Sequence, residues 1–176
     1  MIEGMHAPLV EVYALERRFG ARAVLSGVDL VVGAGEIHGL LGPVGAGRTT
    51  LLRILAGADE ASSGWVRLGG RAVLVEPSEV DPRIALARAI ATGPDVLLID
   101  APGLDSETGA AVRALVARHA AGGGAAVWAT PRLDDLHGVA TAVSLLAGGR
   151  VRYHGSVERL ARLALSLPPQ PLFRAA

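Results

Sequence analysis

One glycine-rich segment, residues 42–50, constrains the fold of this chain more than any other feature. It reads Gly-Pro-Val-Gly-Ala-Gly-Arg-Thr-Thr. Gly42, Gly47 and Thr49 match the pattern G-x-x-x-x-G-K-[ST], whereas Arg48 stands at the lysine position. A short apolar run precedes the segment, and a run with helical periodicity follows it. A strand, a glycine loop and a helix in this order aim backbone N–H groups at phosphates, so the segment predicts a phosphate-binding loop with an altered cation.

Composition limits the class of protein. The 176 residues suit one domain, and 51% hydrophobic but only 3% aromatic residues predict a core of Ala, Val and Leu. The 17 acidic residues balance the 17 basic ones, which argues against a nucleic-acid binder because such proteins carry a basic surface. The absence of cysteine excludes disulfides and thiolate metal sites. All basic residues are arginine, so Arg48 is consistent with a chain-wide replacement of lysine.

The two ends of the chain carry their own signals. The N-terminus contains Glu3 and His6 and lacks the apolar segment of a signal peptide. No apolar run approaches the roughly 20 residues that span a bilayer. We therefore expect a cytoplasmic protein without a transmembrane segment, placed at the inner face of the membrane only through a partner. Residues 1–165 are predicted to form one domain, and the proline-rich residues 166–176 an extended tail.

Strands alternate with helices along the chain, which indicates an α/β domain with a mostly parallel sheet flanked by helices. The predicted strands are 9–15, 28–32, 37–41, 65–68, 72–75, 96–100, 126–130, 142–146 and 151–154, and the predicted helices are 50–56, 81–91, 106–121, 133–139 and one that follows residue 156. Ser106 is expected to cap the third helix and Ser156 the last one.

A second candidate site element is Asp100, which ends an apolar run. A buried strand that ends in aspartate, downstream of a phosphate loop, places a carboxylate beside the phosphate-bound Mg²⁺. Thr49 of the loop supplies a hydroxyl to the same ion. The alternative is an acid at the end of a strand that faces solvent. Both elements in this order predict a P-loop nucleotide-binding domain.

With the glycine loop and Asp100 in this order, the chain resembles the nucleotide-binding domain of ABC transporters, over about residues 9 to 160. The matching segments follow the family's order: 18–20, 27–30, 35–36, 42–50, 55–57, 63–70, 83–90, 103–105 and 148–160. The resemblance implies a P-loop NTPase core with antiparallel N-terminal strands that binds ATP and Mg²⁺. It implies that the bound ATP and Mg²⁺ are contacted by Phe19, Gly42, Pro43, Val44, Gly45, Ala46, Gly47, Arg48, Thr49, Thr50 and Asp100. Phe19 would stack on adenine; the alternative is a core aromatic residue.

The departures from the family pattern are systematic. Ala101 stands where family members carry a catalytic glutamate, and Pro131 where they carry a switch histidine. Only residues 76–82 occupy the place of a helical subdomain and an L-S-G-G-Q signature. Without a carboxylate at position 101, no general base is positioned on the attacking water. The resemblance therefore implies no catalytic residue and weak ATP binding that outlasts hydrolysis.

Three functions remain open at this stage. The first is a hydrolysis-deficient ATP-binding subunit, a partner or regulator in a heteromer with an intact ATPase, a permease or another protein. The second is a working ATPase subunit in a heterodimeric transporter. The third is an interaction scaffold that has lost nucleotide. A small GTPase is disfavoured because the chain has neither Asn nor Lys for the base-reading motif, and a nucleotide kinase because of the segments that match the ABC family.

Several other polar residues have plain interpretations. Glu76 is expected to be a solvated turn carboxylate rather than a Mg²⁺ ligand. Asp105 is either a dimer contact or the acid favoured at a helix N-terminus. Arg17 and Arg18 are expected to be solvated charges. The five histidines (His6, His38, His119, His137 and His154) show no metal-ligand spacing and are expected at the surface.

Overall fold

A computed structural model describes residues 7–77, 80–101 and 104–166, which form two β-sheets and five helices. The strands are β1 (Pro8–Phe19), β2 (Arg22–Gly33), β3 (Ile37–Leu41), β4 (Ser63–Leu68), β5 (Ala72–Val75), β6 (Val96–Asp100), β7 (Ala125–Thr130), β8 (Ala142–Ala147) and β9 (Arg150–Gly155). The helices are α1 (Arg48–Leu55), α2 (Pro82–Ala91), α3 (Ser106–Ala121), α4 (Leu133–Leu136) and α5 (Val157–Ser166). The predicted tail, apart from Ser166, lies outside the described residues.

The N-terminal strands form an antiparallel sheet of order β2-β1-β4. Buried residues such as Val10 and Val12 alternate with more exposed ones along β1, which is typical of a sheet with one face on the core. The ladder is irregular near Ala14, whose φ of 45° is positive and whose N–H donates to Asp29 Oδ1 at 2.7 Å. The predicted antiparallel N-terminal strands are confirmed.

The second sheet has six strands in the order β5-β6-β7-β3-β8-β9. The first five are parallel, and β9 runs antiparallel to β8. Every residue of β3, β6 and β7 is buried, because these strands are covered on both faces and their sequences are nearly continuous apolar runs. The prediction of a mostly parallel sheet flanked by helices is confirmed.

The core lies on both sides of this central sheet. One cluster joins the antiparallel sheet, helix α1 and one face of the central sheet, with Leu51, Leu52 and Leu98 fully buried. The other cluster joins the opposite face to the remaining helices and includes Trp128 and Leu136. Aliphatic side chains dominate both clusters, as the composition predicts. Among the described residues, no helix is long and apolar enough to span a bilayer.

Several helix ends differ from the predictions. Helix α1 begins at Arg48, two residues earlier than predicted, and α4 ends at Leu136 rather than at residue 139. The cap of α3 is Asp105, not Ser106: its carboxylate accepts hydrogen bonds from two first-turn N–H groups at 3.0 and 2.9 Å. A carboxylate also complements the helix dipole better than a hydroxyl does. Ser156 accepts from the Arg159 N–H, as expected of a cap.

The surface assignment of the histidines is wrong for His38, which is completely buried on β3. Its Nε2 lies 3.0 Å from Ser144 Oγ, and its Nδ1 lies 3.3 Å from Glu36 Oε1. The ring of His154 stacks on it with 5.5 Å between centroids. Burial acts to raise the pKa of Glu36, but hydrogen bonds from His38 and the Gly33 N–H outweigh it and lower that pKa. A buried imidazole is tolerated here because both ring nitrogens have partners.

The other histidines vary in position. His137 and His154 are exposed, and His119 is half-buried with Nε2 3.2 Å from the Ala125 carbonyl oxygen. His6 lies outside the described residues. Within residues 7–77, 80–101 and 104–166, no group of three or more histidine and carboxylate side chains could hold a metal ion.

Candidate functional site

The glycine loop connects β3 to α1, as its sequence predicts. Gly47 caps α1 with a φ of 102°, a backbone conformation that side chains with a Cβ rarely adopt. A Cβ on Gly42 would lie 2.3 Å from the Leu146 carbonyl oxygen, so the loop also packs closely against the end of β8. These contacts hold the loop at the N-terminus of α1, where the helix favours an anion.

Arg48 turns back into the loop. Its side chain is buried, at 9% exposure, and its Nη1 donates a hydrogen bond to the Gly42 carbonyl oxygen. Burial lowers the pKa of Arg48, and the negative charge of Asp100 opposes this shift. The guanidinium therefore stabilises the loop itself, while the lysine of the usual pattern presents a point charge to phosphate.

Thr49 and Asp100 meet at the carboxyl edge of the central sheet. The Thr49 hydroxyl donates to Asp100 Oδ2 at 2.6 Å, although the two residues are 51 positions apart and β7 lies between β6 and β3. Asp100 is only 6% exposed. A buried carboxylate beside a hydroxyl fits Mg²⁺, which takes oxygen ligands and is commonly held by one or two protein groups plus phosphates and water.

The loop opens on a cavity of about 340 Å³. It is lined by Phe19, Arg22, Val24, Gly45, Ala46, Gly47, Arg48, Thr49 and Thr50. Phe19 is 49% exposed, so the alternative of a core aromatic residue does not apply. Of the predicted contact residues, Gly42, Pro43, Val44 and Asp100 do not line this cavity, and Val44 is 92% exposed at the tip of the loop.

Sequence reasoning missed Arg22 and Val24. Both lie on β2, and the hairpin register pairs Arg22 directly with Phe19 across the Gly20-Ala21 turn. Counting residues back from that turn would have placed Arg22 beside the aromatic ring. The cavity is therefore lined by an aromatic ring, a cation on the hairpin and the glycine loop.

Buried side chains lie at or beside two positions that depart from the family pattern. Ala101 is buried and apolar, and its N–H donates to the Ala129 carbonyl oxygen at 3.4 Å. The Thr130 hydroxyl donates to Asp135 Oδ2 at 2.5 Å, and both side chains are buried. Asp135 is a further residue that the sequence did not single out. The hydroxyl of Thr130 is thus engaged inside the protein rather than at the cavity.

Two acids that the sequence analysis discussed have structural partners. Glu76 pairs with Arg53, whose Nη1 lies 2.7 Å from its Oε1 in an exposed ion pair. Asp105 caps α3, which confirms the helix-terminal interpretation. Gly103, two residues before Asp105, lies outside the described residues.

Strand β5 ends at Val75 and α2 begins at Pro82, so six residues connect them, too few for a helical subdomain.

Known proteins are similar to this chain in sequence and in fold. The sequence model of the family described as ABC transporter matches residues 25–81, which contain the glycine loop. The chain is 43% identical to the daunorubicin resistance ATP-binding protein DrrA2 of Streptomyces coeruleorubidus over 88 residues, which make up half of the chain and 27% of that protein. The chain thus spans about a quarter of the length of this relative.

One longer match covers nearly all of the chain. It is 29% identical to the aliphatic sulfonates import ATP-binding protein SsuB of Granulibacter bethesdensis, over 93% of the chain and 88% of that protein. This alignment runs over 217 positions, more than the 176 residues of the chain, so the relative has residues without a counterpart here.

Solved structures agree on the fold. A nucleotide-free ATP-binding cassette from an ABC transporter superimposes with a TM-score of 0.79 and 15% identity, covering 92% of this chain and 96% of that one. A second cassette, in an ADP conformation, gives a TM-score of 0.79 at 13% identity. In these comparisons the chain is similar to the ATP-binding proteins of the ABC transporter family, in sequence around the glycine loop and in fold along nearly its whole length.

Proposed function

We propose that the chain is an ATP-binding subunit that holds Mg-ATP weakly and hydrolyses it barely or not at all. The observation that carries this proposal is the pairing of Thr49 with Asp100 beside the glycine loop, with Ala101 as the next residue. Groups suited to a metal–phosphate complex are present, while the neighbouring position lacks a carboxylate. Binding and hydrolysis depend on different residues, so one can persist without the other.

Each part of the site has a role in this proposal. Backbone N–H groups of Gly45 and Gly47 and the N-terminus of α1 would bind the phosphates. The Thr49 hydroxyl and the Asp100 carboxylate would hold Mg²⁺, which would neutralise part of the phosphate charge when bound. Phe19 would stack on the base. Pro43 and Val44 would act through the shape of the loop rather than by contact.

Weak affinity follows from Arg48. Its guanidinium is buried and donates to the Gly42 carbonyl oxygen, so it would have to leave this contact to reach a phosphate. Arg22 lines the same cavity and is the other cation among its lining residues. We propose that Arg22 compensates in part, from the hairpin, for the lysine that the loop lacks.

Calorimetric titration tests the binding proposal. We expect heat from Mg-ATP at millimolar concentration and a rise in melting temperature, because a ligand that binds only the folded state stabilises it. Asp100→Asn keeps the size of the side chain and removes its charge, so it should weaken Mg-ATP binding by about tenfold or more, as a charged hydrogen-bond partner of a metal site is lost. Asp95→Asn, on an exposed loop, is the control. No heat and no thermal shift with the unaltered chain would favour the nucleotide-free scaffold instead.

We further propose that the chain works in a heteromer at the cytoplasmic face of a membrane. The relatives are named as import or resistance ATP-binding proteins, and import requires a component that crosses the membrane. Ile84, in the first turn of α2, is 49% exposed. Exposed apolar patches often mark contact surfaces. Two copies would both lack the signature segment, so a heteromer is favoured over a homodimer.

Affinity capture of the tagged chain from its native cells, with identification by mass spectrometry, tests assembly. We expect recovery of a permease or an intact ATP-binding subunit, and light scattering of the reconstituted pair should give a heteromer. Turnover by that pair that persists when the partner's site is mutated, and is lost with Asp100→Asn in this chain, would support the alternative of a working heterodimeric ATPase. A chain that stays monomeric at high concentration and recovers neither partner would refute the heteromer. Residues 1–165 are proposed to act as one domain in this assembly.

A further inference from the structure

Arg17 lies against the aromatic ring that borders the cavity. Its guanidinium carbon is 4.3 Å from the centroid of the Phe19 ring, within the range of a cation–π contact. The two residues are two positions apart on β1, so their side chains leave the strand on the same face. The expectation that Arg17 is a solvated charge is therefore wrong.

The contact involves a ring that borders the cavity and a cation that does not. Phe19 lines the cavity together with the glycine loop, whereas Arg17 is not among the lining residues. The guanidinium thus restrains the ring without itself lining the cavity. A ring that is 49% exposed at the end of a strand would otherwise be free to change rotamer.

The environment of Arg17 sets it apart from its neighbour. Its Nε is buried and has no hydrogen-bond partner among the described residues. Arg18 is exposed, and its Nη2 donates to the Ala21 carbonyl oxygen at 3.2 Å. The two arginines carry the same charge one residue apart, but the guanidinium of Arg17 lies over the Phe19 ring, whereas that of Arg18 binds the hairpin turn.

We propose that Arg17 is a positioning residue that holds the Phe19 ring as a stacking platform for a purine base. This inference rests on the proposed function, because it requires a nucleotide in the cavity. Arg17 acts on the base end of the ligand through Phe19 and contributes nothing to the phosphate end. Its loss should therefore weaken ligands that carry a base and leave inorganic polyphosphate unaffected.

The test compares Mg-ATP with inorganic tripolyphosphate plus Mg²⁺, by calorimetry on the folded chain. Arg17→Ala is expected to raise the Kd for Mg-ATP about two- to fivefold, the size of an exposed cation–π contact, and to leave the Kd for tripolyphosphate unchanged. Arg18→Ala removes the same charge without touching the ring and should change neither value. Arg17→Lys keeps a cation over the ring and should recover part of the loss.

A double-mutant cycle isolates the path through the ring. In the Phe19→Ala background, Arg17→Ala should have no further effect on the Kd for Mg-ATP, because the group it supports is gone. Equal weakening of both ligands by Arg17→Ala would overturn the inference, as would an undiminished effect of Arg17→Ala without Phe19. If the unaltered chain binds the two ligands equally, the platform is refuted while phosphate binding stands. If it binds neither, the proposed function fails as well.

Discussion

Steady-state phosphate release from Mg-ATP by the purified chain is expected to stay far below about 1 per second, the low end of typical enzyme turnover. Position 101 is alanine, buried at the end of β6, so no carboxylate there can accept a proton from the attacking water. A positioned general base contributes about 10²- to 10⁴-fold to such reactions. The switch position is Pro131, and the Thr130 hydroxyl before it is bound to Asp135.

Restoring one group should not restore the reaction. Ala101→Glu is expected to leave turnover below about 1 per second, because the switch histidine and the signature segment that family members provide are still absent. Glutamine has nearly the size of glutamate without its charge, so Ala101→Gln is the control for folding and binding. In a coupled phosphate assay, the Asp100→Asn variant measures the background phosphate release by contaminating ATPases. Turnover of about 1 per second or more by the unaltered chain would contradict the proposal of a hydrolysis-deficient subunit.

Gly47→Ala is expected to abolish detectable Mg-ATP binding and to lower the free energy of unfolding by about 2–4 kcal/mol. The φ of Gly47 is 102°, where a Cβ is strained. A Cβ there would also lie 2.9 Å from the Val24 carbonyl oxygen and 2.7 Å from Leu25 Cδ2. The backbone must move to relieve these contacts, and the moving part is both the phosphate loop and the cap of α1.

Gly45→Ala is the matched control for this change. Gly45 has a φ of 80°, so alanine is strained there too, but a Cβ would meet nothing within 4 Å. We expect it to cost about 1–2 kcal/mol in stability, the price of a left-handed conformation alone, and to retain part of the nucleotide binding. Denaturant unfolding and calorimetry on both variants separate strain from steric contact. Equal losses in the two variants would show that close packing of Gly47 is unimportant.

Local patterns along the chain were sufficient to identify the site elements. The glycine spacing around Gly42 and Gly47 and the apolar run that ends in Asp100 depend on short-range constraints, the turn of the backbone and the burial of a parallel strand. Strand β5 and helix α3 have the bounds that the periodicity predicts. The predicted cap of helix α3 was wrong because Asp105 and Ser106 are neighbours and both residue types can cap a helix.

Contacts between distant segments could not be read from the sequence. The hydrogen bond from Thr49 to Asp100, the return of Arg48 to Gly42 and the burial of His38 against Ser144 depend on how strands far apart in sequence are ordered in the sheet. Periodicity reports which face of an element is apolar but not what lies opposite it.

The sequence by itself indicated the family that the chain resembles, the order of strands and helices, and the residue types at the loop, because these are properties of neighbouring residues. Only the tertiary structure decided which side chains share the cavity. Arg22 enters it through the register of a hairpin, and Arg17 supports Phe19 from outside it. The physical reason is that side-chain surroundings arise from packing between elements, and a small change in register or crossover replaces one set of neighbours with another.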